Sequence, residues 1–164
     1  MKLYLVRHGT SNPADIDPAK GLSDIGKKEI ATLAALVRHL NIKVASIFHS
    51  GKARAEQTAD IVGVALESAN GISPKSGLAP NDPVQDIAAE ITSAGEAIML
   101  VGHLPFMAKL SSFLLAGNAD KISLDFKAGG MAFLEYQDDR WILRWLINPE
   151  INPVGETSHF ESYH

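Results

Sequence analysis

Apolar and polar positions along the chain fall into blocks whose period switches between strand and helix. Leu3 to Val6 is an unbroken apolar run that meets Arg7-His8, the pattern of a short strand buried on both faces. Ile30, Leu33, Val37 and Leu40 then recur at spacings of three and four, which predicts a helix over 24–40. Ser23 is placed to be its N-cap, and Asp24 lies in the first turn, where the helix dipole favours negative charge. A second strand is expected over Val44 to Phe48. A second helix follows over Lys52 to Leu66, with Ile61, Val62, Ala65 and Leu66 as its apolar stripe. Glu67 to Pro83 is rich in Ser, Gly, Asn and Pro and reads as a loop.

A shorter helix over Val84 to Ser93 leads through Gly95 into Ala97 to Val101, the clearest buried strand in the sequence. Pro105 suits the first turn of a further helix, whose buried face is Phe106, Met107, Leu110, Phe113 and Leu114 and which Gly117-Asn118 ends. Met131 to Tyr136 and Trp141 to Ile147, separated by the polar Gln137-Asp138-Asp139-Arg140, read as a hairpin. The strand–helix alternation predicts an α/β fold of three layers, α/β/α, with a mostly parallel central sheet and an antiparallel portion. A single domain is expected over residues 1–147. The stretch 148–164, with two prolines and no periodicity, is expected to be a tail, docked or disordered.

Composition narrows the function classes. A chain of 164 residues buries roughly 69% of its unfolded surface by area scaling, enough for a core without staples. Having no Cys, it carries no disulfide, thiolate nucleophile or Cys-ligated metal. Its net charge of −4 argues against nucleic acid or a membrane surface as partner. The apolar stretch at the start is too short for a signal-peptide core, so a cytoplasmic location is expected.

Candidate chemistry collects where the expected strands end, which is where open α/β sheets bind ligands. The first strand runs into Arg7-His8-Gly9-Thr10-Ser11, the second into His49-Ser50-Gly51 and Arg54, and the Ala97–Val101 strand into Gly102-His103-Leu104-Pro105. Two arginines and two histidines thus converge on one sheet edge and suggest a phosphate site. Arg presents a planar fork matched to phosphate oxygens. Helix N-termini add oriented N–H groups, that of Leu104 among them. Imidazole attacks phosphorus when one nitrogen is free, and a hydrogen bond from the other nitrogen to a carbonyl would fix that tautomer. Gly9 would let the chain turn tightly and a phosphate approach the backbone. Each piece alone has a plain alternative: a core histidine for His103, a solvated helix residue for Arg54. Their joint order is what singles out a shared pocket.

Leu5-Val6-Arg7-His8-Gly9, then Ser50-x-x-x-Arg54-Ala55-x-Gln57-Thr58, then Val101-Gly102-His103-x-Pro105 resembles the histidine phosphatase superfamily, whose fold is phosphoglycerate mutase-like. Leu22-Ser23-x-x-Gly26 is similar to that superfamily's motif at the first helix start. The short chain and the Leu78-Ala79-Pro80-Asn81-Asp82-Pro83 loop look most like the SixA-type phosphohistidine phosphatases. The resemblance implies that His8 attacks phosphorus and becomes phosphohistidine, that Arg7, Arg54 and His103 bind the transferring group, and that neither metal nor cofactor is needed.

Three departures stand out. Gly51 replaces a common Pro after Ser50. Thr10-Ser11 replaces an acid or amide; these hydroxyls either bind phosphate, with Gly9 and Leu104, or simply help close the turn. Asp82 is the sole acid where many phosphomonoesterases of the superfamily carry a Glu proton donor, and it is equally read as an ordinary turn residue before Pro83. A phosphoramidate leaves as neutral imidazole once protonated, so a missing acid favours phosphohistidine on a protein over an ester. The expected partner is a phosphohistidine-bearing protein. A small phosphorylated substrate, or a non-catalytic phosphate-binding role, are the alternatives.

Other residues carry less. His159, Glu161 and His164 suggest a metal site that nothing in the sequence orients. His39 reads as a surface residue at a helix end, and His49 as structural. Trp141 and Trp145, four apart on a strand, should share one face, as core or interface rather than a base-stacking platform.

Overall fold

The computed structural model describes residues 1–149. The expectations for the tail beyond Pro149 and for His159, Glu161 and His164 lie outside the described residues. The elements are β1 (Lys2–Arg7), α1 (Asp24–His39), β2 (Lys43–Val44), β3 (Ser46–His49), α2 (Ala53–Gly63), β4 (Glu67–Ser68), β5 (Ile72–Pro74), α3 (Gln85–Ala94), β6 (Ile98–Gly102), α4 (Phe106–Ala116), β7 (Met131–Gln137) and β8 (Arg140–Ile147). Six strands form the central sheet in the order β5-β3-β6-β1-β7-β8. β5, β3, β6 and β1 run parallel, β7 pairs antiparallel with β1, and β8 pairs antiparallel with β7. The α/β/α architecture expected from the alternation is the one found.

Strict alternation in β1 and β6 divides the core between two faces. Tyr4, Val6, Met99 and Val101 join Ile30, Leu33 and Val37 of α1 and Ala55, Ala59 and Val62 of α2. Leu3, Leu5, Ile98 and Leu100 point the other way, to Ile87, Ala88 and Ile91 of α3 and Phe106, Met107 and Leu110 of α4. Each fully buried Leu, Ile or Val contributes roughly 1.5–3 kcal/mol. This two-sided demand is why both strands read as continuous apolar runs.

Differences from the sequence reading have local causes. The expected second strand divides at Ala45, whose N–H bonds to the Ala97 carbonyl and whose carbonyl accepts from Asn70. Val44 thereby leaves the main sheet and pairs with β4 in a separate two-stranded ribbon. The expected 67–83 loop contains that strand and also β5, which pairs with β3 at the sheet edge. Pro105 is the N-cap of α4, one position before the helix. Trp141 and Trp145 lie on opposite faces rather than one. A bulge makes Phe133 pair with Trp145 but its neighbour Leu134 with Leu143, so the extra residue Arg144 inverts the alternation. Trp141 packs in the α3/α4 core, and Trp145 tilts against Phe133 at 5.5 Å on the other face.

The start of α1 does more than begin a helix. Ser23 Oγ accepts from the Gly26 N–H at 3.0 Å and donates to the Thr10 carbonyl at 3.1 Å. The Ser23 N–H reaches the same carbonyl at 3.0 Å. A Cβ on Gly26 would collide with that carbonyl, which gives the Leu22-Ser23-x-x-Gly26 motif its physical reason: the segment after His8 is seated directly on the helix. Gly26→Ala should destabilise the fold by about 1–3 kcal/mol through forced displacement of backbone. Ser23→Ala should cost about 1 kcal/mol, a cap's usual worth. Urea denaturation of both variants measures this, and a Gly26→Ala protein as stable as the parent would refute the close seating.

Candidate active site

β6 lies between β1 and β3, so the carboxyl ends of three parallel strands stand side by side. Arg7 pairs with Gly102, and His49 with Val101. Past the ladder, the His8 N–H still bonds to the Gly102 carbonyl at 2.9 Å. On the other flank, the Arg7 N–H bonds to the Gly130 carbonyl and the Gly129 N–H to the Arg7 carbonyl, at 2.9 and 3.1 Å. Arg7-His8 is therefore clamped between two backbone segments. His103 is fixed by β6 before it and α4 after it, its carbonyl accepting from the Met107 N–H at 2.9 Å.

The four side chains singled out from sequence meet here. The His8 and His103 rings lie 4.9 Å apart, centroid to centroid, tilted by 58°. Arg54, in the first turn of α2, donates from Nε to His8 Nε2 at 3.3 Å. His8 Nδ1 is 2.6 Å from the Gly9 carbonyl. A guanidinium can only donate and a carbonyl can only accept, so the proton of neutral His8 sits on Nδ1 and Nε2 carries the lone pair, which here accepts from Arg54. The expected tautomer lock is present. Arg7 Nη1 donates to the Phe126 carbonyl at 2.8 Å. Among the described residues neither Arg7 nor Arg54 is ion-paired.

Arg7 Nε and His103 Nδ1 are the only buried side-chain polar atoms without a partner among the described residues. A buried donor or acceptor left unpaired costs about 1–3 kcal/mol. Both atoms belong to this cluster. No group of three or more His, Asp or Glu is placed to hold a metal among the described residues, and no helix there is long and apolar enough to cross a membrane.

The secondary candidates fare differently. Gly9 owes its smallness to α1: a Cβ would lie 2.8 Å from the Gly26 carbonyl oxygen and 2.9 Å from Ile30. Its N–H donates to Thr58 Oγ1 at 3.2 Å, and that of Thr10 to Glu29 Oε1 at 3.0 Å. Neither backbone donor is left for a phosphate. Ser11 bridges Leu22, which closes the loop. The Leu104 N–H takes no backbone acceptor among the described residues. Asp82 is used in its own turn: its carboxylate accepts from the Ala79 N–H at 2.9 Å, and its N–H donates back to Ala79 at 3.1 Å. His49 is buried, its Nδ1 accepting from the Gly51 N–H at 3.1 Å.

Three supports escaped the sequence reading. Ser50 Oγ lies 2.6 Å from His103 Nε2. Thr58 Oγ1 donates to the Arg54 carbonyl at 2.7 Å while accepting from Gly9. The Phe126 carbonyl holds Arg7. Ser50 and Thr58, each four residues from Arg54, stand in the motif quoted from the sequence, where no role was assigned to them. Phe126 follows an irregular segment and carries no such signal.

Burial sets the charge states. It lowers His8 to about 4, with the Arg54 and Arg7 charges pushing the same way against the Gly9 hydrogen bond. His103 falls to about 3 through burial and the neighbouring His8, Arg54 and Lys52. Burial also lowers Arg54. Both imidazoles are neutral at pH 7.

Residues 3–78, a little under half of the chain, match the family model of the histidine phosphatase superfamily (branch 1). The resemblance read from the motifs is borne out by this match and by the fold, which is phosphoglycerate mutase-like. The protein histidine phosphatase SixA complexed with tungstate superposes with a TM-score of 0.80 at 22% identity, over 91% of this chain and 97% of that one. A candidate phosphohistidine phosphatase SixA from Agrobacterium tumefaciens gives 0.67 at 23%, over 91% and 97%. A mycobacterial glucosyl-3-phosphoglycerate phosphatase complexed with VO3 gives 0.67 at 17%, over 91% and 99%. Identities this low speak for the fold alone. A comparison with curated protein sequences gives no match.

Depressed histidines link the site to stability. Between pH 6.5 and about 4, the unfolded chain binds protons that folded His8 and His103 refuse, so stability falls as pH drops through this window. Urea denaturation at pH 7 and 4.5 should show the fall, and His8→Asn and His103→Asn should each shrink it. An equal fall in all three proteins would exclude the two imidazoles as its source.

Proposed function

We propose that this chain, whose first half matches the histidine phosphatase family model and whose fold is that of SixA, is a phosphatase that removes the phosphoryl group from phosphohistidine on a protein. His8 Nε2 is the nucleophile: its lone pair attacks phosphorus, a new N–P bond forms, and the N–P bond to the substrate imidazole breaks. That imidazole, protonated from solvent at its other ring nitrogen, departs neutral. Water then attacks phospho-His8, releasing inorganic phosphate and restoring the enzyme. Arg7, Arg54 and His103 hold the phosphoryl oxygens, so catalysis is positioning plus electrostatic stabilisation.

The observation that carries this reading is the polar cluster itself. Two guanidinium groups stand beside two neutral imidazoles, with no ion-pair partner and with Arg7 Nε and His103 Nδ1 unpaired among the described residues. A tetrahedral oxyanion supplies the acceptors that these groups lack. The substrate class rests on the missing acid: no carboxylate hydrogen-bonds to any of the four side chains among the described residues, and Asp82 is engaged with Ala79. A leaving group that departs as neutral imidazole has least need of one.

Side-by-side turnover of a phosphohistidine-bearing phosphotransfer domain and a panel of phosphomonoesters, with a chelator present, tests the proposal. The phosphohistidine domain should be preferred. His8→Ala should abolish turnover, and Arg7→Ala or Arg54→Ala should lower kcat by about 10²–10³-fold, the usual cost of removing an oxyanion donor. Preference for one small ester would keep His8 as nucleophile and reject the protein substrate. Undiminished turnover by His8→Ala would sink the mechanism.

A further inference from the structure

His103 has two ring nitrogens and one partner. Nε2 lies 2.6 Å from Ser50 Oγ, while Nδ1 is buried with none among the described residues. The residue is 1% exposed. The Ser50 hydroxyl can donate or accept, and its oxygen also receives the Lys52 N–H at 3.4 Å.

The groups around His103 are His8, Arg54 and Lys52, and with burial they hold it in the neutral form. A neutral imidazole has a single N–H, so the position of that proton decides what the ring can do. With the proton on Nε2, the ring donates to Ser50 and Nδ1 is a bare lone pair, which repels phosphoryl oxygens. With the proton on Nδ1, Nε2 accepts from the Ser50 hydroxyl and Nδ1 becomes a donor. The second arrangement alone gives neutral His103 a part in binding an oxyanion. We propose that Ser50 is a positioning residue whose hydroxyl donates to His103 Nε2, holding the proton on Nδ1 so that Nδ1–H donates to an oxygen of the transferring phosphoryl group. This rests on the reading of the cluster as a phosphoryl-transfer site.

The two histidines then share one tautomer and use it oppositely. His8 spends its Nδ1–H on the Gly9 carbonyl and keeps the Nε2 lone pair for phosphorus. His103 spends its Nε2 lone pair on Ser50 and keeps Nδ1–H for oxygen. The ring torsion of histidine is broad and roughly two-fold, so a single fixed hydrogen bond is enough to choose which edge of the His103 ring faces which way.

The test combines tautomer, affinity and turnover in the full chain. Proton–nitrogen correlation spectra of the histidine rings should place the His103 proton on Nδ1 in the parent, and on Nε2 or on both in Ser50→Ala. The same substitution should lower kcat about tenfold with KM changed less, and should weaken binding of tungstate, used as a phosphate analogue. Ser50→Thr, which keeps the hydroxyl, should recover kcat to within about threefold. In a His103→Ala background, Ser50→Ala should have no further effect, as expected for residues acting as one unit. A proton on Nε2 in the parent would overturn the proposal, as would an unchanged tautomer and kcat in folded Ser50→Ala. A parent that neither turns over any phosphoryl donor nor binds tungstate would instead overturn the phosphoryl-site reading itself, and the role of Ser50 with it.

Discussion

The register between β1 and β6 is the constraint on which the site depends. Arg7 opposes Gly102, and the His8 N–H extends the ladder by one bond to the Gly102 carbonyl. That single register sets the two imidazoles 4.9 Å apart. A slip of one residue would exchange the faces of Leu3, Tyr4, Leu5 and Val6, pushing each apolar side chain into the wrong half of the core. Core packing and site geometry are therefore one requirement, enforced by the same four residues. The hydrophobic effect, which has no directional preference of its own, here positions a nucleophile.

Around this frame, the site is built from backbone donors and acceptors more than from charged pairs. Gly9 and Phe126 carbonyls orient His8 and Arg7, while Thr58 ties the Gly9 N–H to the Arg54 carbonyl. Neutral supports leave the positive charge of the guanidinium groups uncancelled. A carboxylate in any of these places would hold an arginine as firmly and spoil it for an anionic ligand.

How much of this was legible in the sequence depended on whether the signal was local. The alternating strands β1 and β6, the 3.6-period face of α1 and the hairpin were readable because each serves one or two continuous apolar surfaces. The Asp138-Asp139 turn even has the positive φ of 52° and 58° that a two-residue hairpin needs. Arg7, His8, Arg54 and His103 were readable because each lies at or just past the end of a strand or in the first turn of a helix. β5 was not, since Ile72-Ser73-Pro74 is three residues of turn-like composition and becomes a strand only by leaning on β3. The faces of Trp141 and Trp145 were misread because a bulge at Arg144 is a property of two paired strands. No single strand carries that information. The role of the Phe126 carbonyl was hidden because a backbone group has no sequence signature.

That bulge bears on how the molecule behaves in a crowd. β8 is one border of the main sheet and would offer a row of unsatisfied amides and carbonyls to any other extended chain. The inserted residue breaks the repeat of that row, and its guanidinium is anchored by Glu135 and Gln137 at 2.8 and 3.0 Å. At the opposite border, β5 is only three residues long and ends in Pro74, which has no amide hydrogen to offer. Both borders thus carry features that disfavour the addition of another extended chain.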